Sequence, residues 1–163
     1  MLPPQPVFTQ RPEAPGDEAF LRQLMTEVIA QELGAAAWPE PLRSQLLGLQ
    51  TRTRLEVARN RPAATSRILQ AGGVDAGWML TSRAGGMKDG EIVWLVEIAV
   101  AAPFRGCGIG SAALRELLAG GVTVRLHVNR TNTRAIALYT RHGFRPVDSD
   151  EIQLLMEYAC SPA

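Results

Sequence analysis

The sequence predicts a mixed α/β domain, in which a central mixed sheet carries helices on both faces. Two segments in the first third place apolar residues at helical spacing, whereas a period of two begins at residue 65. A strand–helix–strand stretch over residues 91–128 requires a crossover, so one parallel pair is expected in a sheet that is otherwise antiparallel. The predicted order is β-α-α-β-β-β-α-β-α-β-β over a single domain, residues 1–163.

A short strand and a helix open the predicted fold. Residues 7–9 form an edge strand, a position that tolerates the prolines around it. Asp17 is the expected N-cap of an amphipathic helix over residues 18–33, and Gly34 ends that helix.

A second helix is predicted to begin at Leu42 and to break at residues 60–62. Its apolar stripe is expected to consist of Leu42, Leu46, Leu49 and Thr53. Trp38 precedes this helix and is expected to be a packing residue. The basic residues Arg52, Arg54, Arg59 and Arg61 are expected to form a solvated face, with an acceptor pocket as the alternative.

The rest of the chain alternates between strands and helices. Residues 65–70 and 74–82 are predicted strands joined at Gly72-Gly73, a turn follows over 84–90, and a third strand covers 91–100. The later predicted elements are a helix over 111–119, a strand over 122–128, a helix over 131–142 capped by Gly143, and strands over 144–147 and 152–158.

The composition excludes several classes of function. A formal net charge of +1 gives no basic face for nucleic acid, and no apolar run is long enough to span a bilayer. Two cysteines and two histidines do not form a zinc-site spacing, so no metal is predicted. Because no signal-peptide pattern is present, a cytoplasmic location is expected.

The sharpest motif is a glycine loop, residues 105–110, between a predicted strand and a predicted helix. Glycines allow close backbone approach, and a helix N-terminus offers unpaired N–H groups, so the loop predicts a phosphate or pyrophosphate site. No Lys-Ser or Lys-Thr follows the last glycine, which excludes a Walker A loop. The dinucleotide fingerprint is not favoured, because residues 101–105 separate the predicted strand from the first glycine. The next predicted strand also lacks an acidic residue at its end.

Two sequence blocks resemble the GNAT superfamily of N-acetyltransferases. Residues 105–110 are similar to its R/Q-x-x-G-x-G/A signature. Residues 132–144 are similar to its second block, N-x-x-A-x-x-L-Y-x-x-x-G-F. The blocks and the matching element order cover residues 65–158.

The resemblance implies bound acetyl-coenzyme A without a metal. It implies that the backbone of Ile98, Ala99 and Val100 binds the pantetheine arm, and that Asn132 contacts this arm. It also implies that backbone N–H groups hold the pyrophosphate beside the charge of Arg105. These groups belong to Gly106, Cys107, Gly108, Ile109, Gly110 and Ser111.

Tyr139 and Glu97 are the candidate catalytic residues. Tyr139 is expected to share a helical face with Asn132, and its phenol, with an ordinary pKa of about 10, can protonate a departing thiolate. Glu97 is the candidate base, although strand alternation places it on the face opposite Val100 unless a bulge re-aims it. A structural glutamate is the alternative. His127 is expected to be a hydrogen-bonded structural histidine.

The resemblance therefore implies an N-acetyltransferase that transfers acetyl from acetyl-coenzyme A to a primary amine by direct attack in a ternary complex. The acceptor is a small molecule or a peptide, and neither nucleic acid nor a membrane is an expected partner. A homodimer is one state that the resemblance allows. The alternative is a non-catalytic acyl-coenzyme A-binding sensor or interaction module.

Overall fold

The computed structural model describes residues 4–84 and 91–160, in which seven strands form one sheet. The strands are β1 (Phe8–Pro12), β2 (Thr65–Ala71), β3 (Val74–Ala84), β4 (Ile92–Val100), β5 (Thr123–Asn129), β6 (Arg145–Ser149) and β7 (Gln153–Tyr158). Their order in the sheet is β1-β2-β3-β4-β5-β7-β6. The β4–β5 pair is parallel and the other described pairs are antiparallel. The predicted mixed sheet with one parallel pair is confirmed.

Two helices pack on one face of the sheet. Helices α1 (Glu18–Leu33) and α2 (Leu42–Arg59) form a hairpin whose buried side chains meet those of β2, β3 and β4. The buried residues of this cluster are Leu21, Leu24, Met25, Leu55, Ala58, Ile68, Trp78, Leu80 and Ala99. Trp38 packs against a smaller cluster beside it, as expected.

The opposite face carries α3 (Ile109–Leu118) and α4 (Thr133–Arg141). Its buried cluster includes Val93, Leu95, Ile109, Ala113, Leu114, Val124, Leu126, Val128, Tyr139, Phe144 and Met156. Gly77 lets β3 approach β4 closely, because a Cβ at this position would collide with the Ala99 carbonyl oxygen. Helices on both faces of the sheet are therefore confirmed.

The predicted apolar stripe of α2 is wrong. Its three leucines are between 37% and 50% exposed, and Thr53 is exposed as well. The buried side of α2 carries Leu47, Thr51, Leu55 and Ala58. Both sides of this helix place apolar residues at helical spacing, so periodicity alone does not distinguish them.

Asp17 occupies the N-cap position of α1 but does not cap it. Its backbone is helical, with φ −87° and ψ −4°, and its side chain makes no capping hydrogen bond. Asp17 instead accepts hydrogen bonds from the Ala14 N–H at 2.7 Å and from both terminal nitrogens of Arg11, at 2.7 and 2.8 Å. The predicted helix is confirmed, whereas the predicted role of Asp17 is wrong.

Element boundaries differ from the predicted ones by a few residues. Helix α3 begins at Ile109 rather than residue 111, and α4 begins at Thr133 rather than residue 131. The Gly72-Gly73 turn has φ angles of +57° and +80°, as a tight hairpin requires. Most of the turn predicted over 84–90 lies outside the described residues.

Candidate functional site

Strands β4 and β5 separate beyond their first residues and leave a wedge-shaped opening, called the wedge below. They pair only over Ile92–Trp94 and Thr123–Arg125. Beyond these residues, β4 still pairs with β3 and β5 still pairs with β7. The facing edges of β4 and β5 are thus left without a strand partner, and such edges can bind an extended ligand through backbone groups. Ile98, Ala99 and Val100 all lie on this part of β4.

The glycine loop lies where β4 ends and α3 begins. Gly106 and Gly108 have φ angles of +76° and +79°, which other residues rarely adopt. Within the described residues, the N–H groups of Gly106 and Gly108 donate to no protein acceptor. The same holds for the first residues of α3, Ile109, Gly110 and Ser111. Five free donors beside a positive helix end suit an anionic group.

The segment before β1 reaches the same loop. The antiparallel register pairs Phe8 with Ala71 and Gly77 with Val100, so the start of β1 and the end of β4 lie at the same end of the sheet. A Cβ placed on Gly108 would lie 3.6 Å from the Gln5 side-chain oxygen. No local sequence signal marks Gln5, because only the register of four strands brings it to the loop.

Arg105 and Cys107 belong to the glycine loop, and the side chain of each makes a contact outside it. Arg105 donates from Nε to the Val100 carbonyl oxygen at 3.2 Å, which ties its guanidinium to the end of β4. The Cys107 side chain is half-buried and packs against the α3–α4 core cluster. Both residues therefore lie in the loop between β4 and α3.

Glu97 lies on the α1–α2 side of β4. A β-bulge at Val96 precedes it, because Leu80 pairs with Glu97 whereas Thr81 pairs with Leu95. The bulge comes before Glu97, so this residue still shares a face with Ala99 rather than with Val100.

Both carboxylate oxygens of Glu97 accept hydrogen bonds from Arg54, at 2.6 and 3.0 Å. Burial raises the pKa of Glu97 above its ordinary value, and the bonds from Arg54 oppose that rise. The expectation that Arg54 belongs to a solvated face is wrong, and the same holds for Arg59, which pairs with Glu13 and Glu18.

Tyr139 lies on the α3–α4 side, where it belongs to the buried core cluster. Its residue is 8% exposed and its ring packs on Phe144 with centroids 5.6 Å apart. Within the described residues its hydroxyl makes no hydrogen bond, yet the oxygen is not sealed from solvent. Burial, together with the charge of Glu97, raises the pKa of Tyr139 to about 12.

Asn132 precedes α4 instead of lying within it. Its Oδ1 accepts a hydrogen bond from the Ala135 N–H at 3.2 Å, so it is the N-cap of the helix. Asn132 begins the helix seven residues before Tyr139, and its sharing a face with Tyr139 stays a prediction. Within the described residues the Asn132 amide nitrogen makes no hydrogen bond.

Trp94 and His127 form an aromatic pair where the wedge opens, on the face opposite α3 and α4. Their rings stack with centroids 5.3 Å apart and planes 12° apart. His127 is exposed and makes no hydrogen bond within the described residues, so the expected hydrogen-bonded histidine is wrong. The alternation of His127 with Leu126 and Val128 could have indicated its outward direction, but not its contact with Trp94.

The described residues contain no group of three or more His, Cys, Asp or Glu side chains that could hold a metal ion. In the same part of the chain, no helix combines the length and the apolar character that a bilayer crossing requires.

Solved structures share this architecture over nearly the whole chain. PaiA N-acetyltransferase from Thermoplasma acidophilum, in complex with coenzyme A, is 15% identical with a TM-score of 0.69, over 94% of this chain and 99% of that one. A histone acetyltransferase HPA2 and related acetyltransferase from Corynebacterium glutamicum is 24% identical with a TM-score of 0.69, over 96% and 98%. The ribosomal-protein-S18-alanine N-acetyltransferase from Escherichia coli is 22% identical with a TM-score of 0.62, over 96% of each chain.

Sequence comparison assigns the family. No curated protein matches the chain. The model of the acetyltransferase (GNAT) family matches residues 25–144, which include the glycine loop, both free strand edges and all of α4. The Thermoplasma acidophilum structure, which shares this fold, is in complex with coenzyme A. The chain therefore belongs to the acetyltransferase (GNAT) family.

Proposed function

We propose that this chain is an N-acetyltransferase, one acyltransferase domain that transfers acetyl from acetyl-coenzyme A to a primary amine by direct attack in a ternary complex. The observation that carries the proposal is the wedge. It has an unpaired strand edge along β4 and an anion-binding loop at the end of that edge, and on α4 the hydroxyl of Tyr139 has no hydrogen-bond partner within the described residues. Acetyl-coenzyme A supplies the activated acetyl thioester.

The loop and the strand edge would hold the cofactor. The five free N–H groups from Gly106 to Ser111 would bind the pyrophosphate, with the guanidinium of Arg105 nearby. The backbone of Ile98, Ala99 and Val100 would bind the pantetheine arm as an added strand. The Asn132 amide nitrogen would donate to the same arm.

Tyr139 would act as the general acid. With a pKa raised to about 12, its phenol stays protonated throughout the neutral range and is available to donate a proton as the thiolate departs in the transition state. Within the described residues the hydroxyl has no hydrogen-bond partner, so it is free to make that donation.

Two side chains near the wedge can accept the proton of the amine. Glu97 is buried, and each of its oxygens has one lone pair left after bonding to Arg54, so it can act directly or through water. His127 is exposed and its ring nitrogens are unbound within the described residues. We propose Glu97 as the base, because its carboxylate is buried and the residue lies on the part of β4 that no longer pairs with β5.

The experiment follows thiol release from acetyl-coenzyme A with a panel of acceptors. The panel contains polyamines, small amines, lysine peptides and peptides with a free N-terminus. The last class is included because the Escherichia coli neighbour is named for acetylation of a protein alanine. Turnover with one class supports the enzyme. Binding of coenzyme A without turnover on any acceptor would favour the sensor or interaction module.

Tyr139→Phe tests the general acid. We expect kcat to fall by about 100-fold or more, because the thiolate then leaves without a proton donor. The matched control is Tyr158→Phe, since the Tyr158 ring also packs on Phe144 but lies on β7. Unchanged turnover in Tyr139→Phe would remove this residue from the mechanism, and an equal loss in both variants would point to packing instead.

A further inference from the structure

Arg54 connects three elements on the α1–α2 side of β4. From α2 it donates through Nε and Nη2 to the two oxygens of Glu97 on β4, at 2.6 and 3.0 Å. Through Nη1 and Nη2 it also donates to Glu32 at the end of α1, at 2.6 and 3.3 Å. One guanidinium thus holds two carboxylates, and its planar fork matches the bidentate geometry that a lysine cannot reproduce.

The two carboxylates are not equivalent. The side chain of Glu97 is 11% exposed, whereas that of Glu32 is 44% exposed and that of Arg54 is 33% exposed. A buried carboxylate without a partner is costly and tends to take up a proton, while an exposed one is solvated by water. Glu97 therefore depends on Arg54 for its charge, and Glu32 does not.

The contact also sets the direction of Glu97. The pairing of Glu97 with Leu80 fixes the face of β4 on which its side chain lies, but it leaves the plane of the carboxylate open. Two hydrogen bonds to one rigid fork fix the plane of the carboxylate. Glu32 in turn restrains the fork from the solvent side, so that α1, α2 and β4 are joined by a single side chain.

We propose that Arg54 is a positioning residue for acetyl transfer, which aims the Glu97 carboxylate at the wedge and keeps it charged, with Glu32 as its anchor. This inference rests on the proposed function, because Glu97 is the proposed base there. Arg54 itself contacts neither acetyl group nor thiol in this role. The residue acts through Glu97.

Two charged groups on two helices act on the charge of Glu97. Arg54 on α2 favours the ionised form, and Glu32 on α1 disfavours it. Loss of Arg54 removes the one favourable group and leaves burial and Glu32 unopposed. The carboxyl of Glu97 should then remain protonated up to a higher pH.

A carboxyl titration by NMR tests this independently of activity. The Glu97 signal is assigned by its loss in Glu97→Gln and is followed with pH in the wild type, Arg54→Gln and Arg52→Gln. We expect Arg54→Gln to raise the Glu97 pKa by about one pH unit or more. Arg52 is the matched control, because it is exposed on the same helix and forms no ion pair within the described residues. Equal titration of Glu97 in all three proteins would overturn the proposal.

Kinetics with the acceptor identified by the panel give the second readout. Arg54→Gln should lower kcat and move the acidic limb of the pH–kcat profile to higher pH, with the affinity for acetyl-coenzyme A unchanged. Arg54→Lys should recover part of kcat because it keeps the charge but not the fork. Glu32→Gln should lower kcat less than Arg54→Gln does. A loss of kcat that is equal at every pH would show a purely structural role and overturn the proposal.

The two arms separate the failure of this inference from the failure of the proposed function. If the wild type acetylates no amine, the proposed function fails, while the NMR titration still reports whether Arg54 controls Glu97. If acetylation occurs and Glu97→Gln leaves kcat intact, Glu97 is not the base and the inference about Arg54 fails with the enzyme function retained.

Discussion

At the scale of single residues, the N-terminal half is held by arginine–carboxylate contacts. Arg11 binds both oxygens of Asp17 and also reaches Asp75 at 3.1 Å. The bonds from Arg11, followed by that from the Ala14 N–H, lower the pKa of Asp17 to about 2. Because this folded-state pKa lies below the unfolded value of about 3.9, the ion pair stabilises the fold above pH 4. That contribution is lost as the pH falls through 2.

Asp17→Asn tests this contribution. We expect the variant to unfold at a lower urea concentration at pH 7, by about 1–3 kcal/mol in the free energy of unfolding, because charged hydrogen bonds are lost from a buried site. The difference from wild type should narrow between pH 4 and pH 2, where the native Asp17 itself becomes protonated. Asp148→Asn, an exposed position on β6, is the control. A difference that stays constant down to pH 2 would contradict the assignment.

At the scale of elements, α2 shows how a helix with two apolar sides is oriented. Leu55 is 2% exposed and packs with α1 and the sheet, whereas Leu49 is 50% exposed on the opposite side. The two leucines have the same helix propensity, so only their surroundings differ. The basic residues follow the same rule, because Arg54 and Arg59 turn toward carboxylates on other elements.

Alanine substitutions at these two leucines form a matched pair. Leu55→Ala should lower the free energy of unfolding by about 2–4 kcal/mol, through lost burial and the cavity left behind. Leu49→Ala should change it by less than about 1 kcal/mol, since the side chain is already half in water. Urea denaturation measures both. Equal losses of unfolding free energy in the two variants would contradict the assignment of Leu55 to the buried side of α2.

At the scale of the whole molecule, the wedge has an open end and a closed end. The glycine loop lies at its open end, whereas Tyr158 pairs with Val124 at the end where β4 and β5 are still joined. Cys107 lies in the loop, and Cys160 comes two residues after Tyr158. The two cysteines therefore report on opposite ends of the opening.

Alkylation of the cysteines tests the position of the cofactor. S-methyl-coenzyme A is used at saturation because it has no free thiol to consume the reagent, and labelling is read by mass spectrometry. We expect Cys107 to be protected, since a pyrophosphate on the loop covers it, while Cys160 continues to react at its own rate. Unchanged labelling of Cys107 would contradict the placement of the cofactor on this loop.

Local patterns in the sequence determined the element order, the mixed sheet and the family. The period of two, the helical spacing and the glycine positions all follow from short-range backbone geometry, and the two motif blocks are contiguous in the chain. The glycine loop was predictable for the same reason, because Gly106, Gly108 and the start of α3 are adjacent. Its helix begins two residues earlier than expected, which brings Ile109 and Gly110 into the first turn.

Only the tertiary structure decided the contacts between residues far apart in the chain. The exposed side of α2, the Arg11–Asp75 pair, the reach of Gln5 to the loop and the stacking of Trp94 on His127 all depend on strand register and helix packing. The same is true of Glu97, whose partner Arg54 is 43 residues away. Alternation along β4 predicted the face on which Glu97 lies, but not its contact with the guanidinium of Arg54. Side-chain charge is set by what surrounds it in space, and no local pattern encodes that environment.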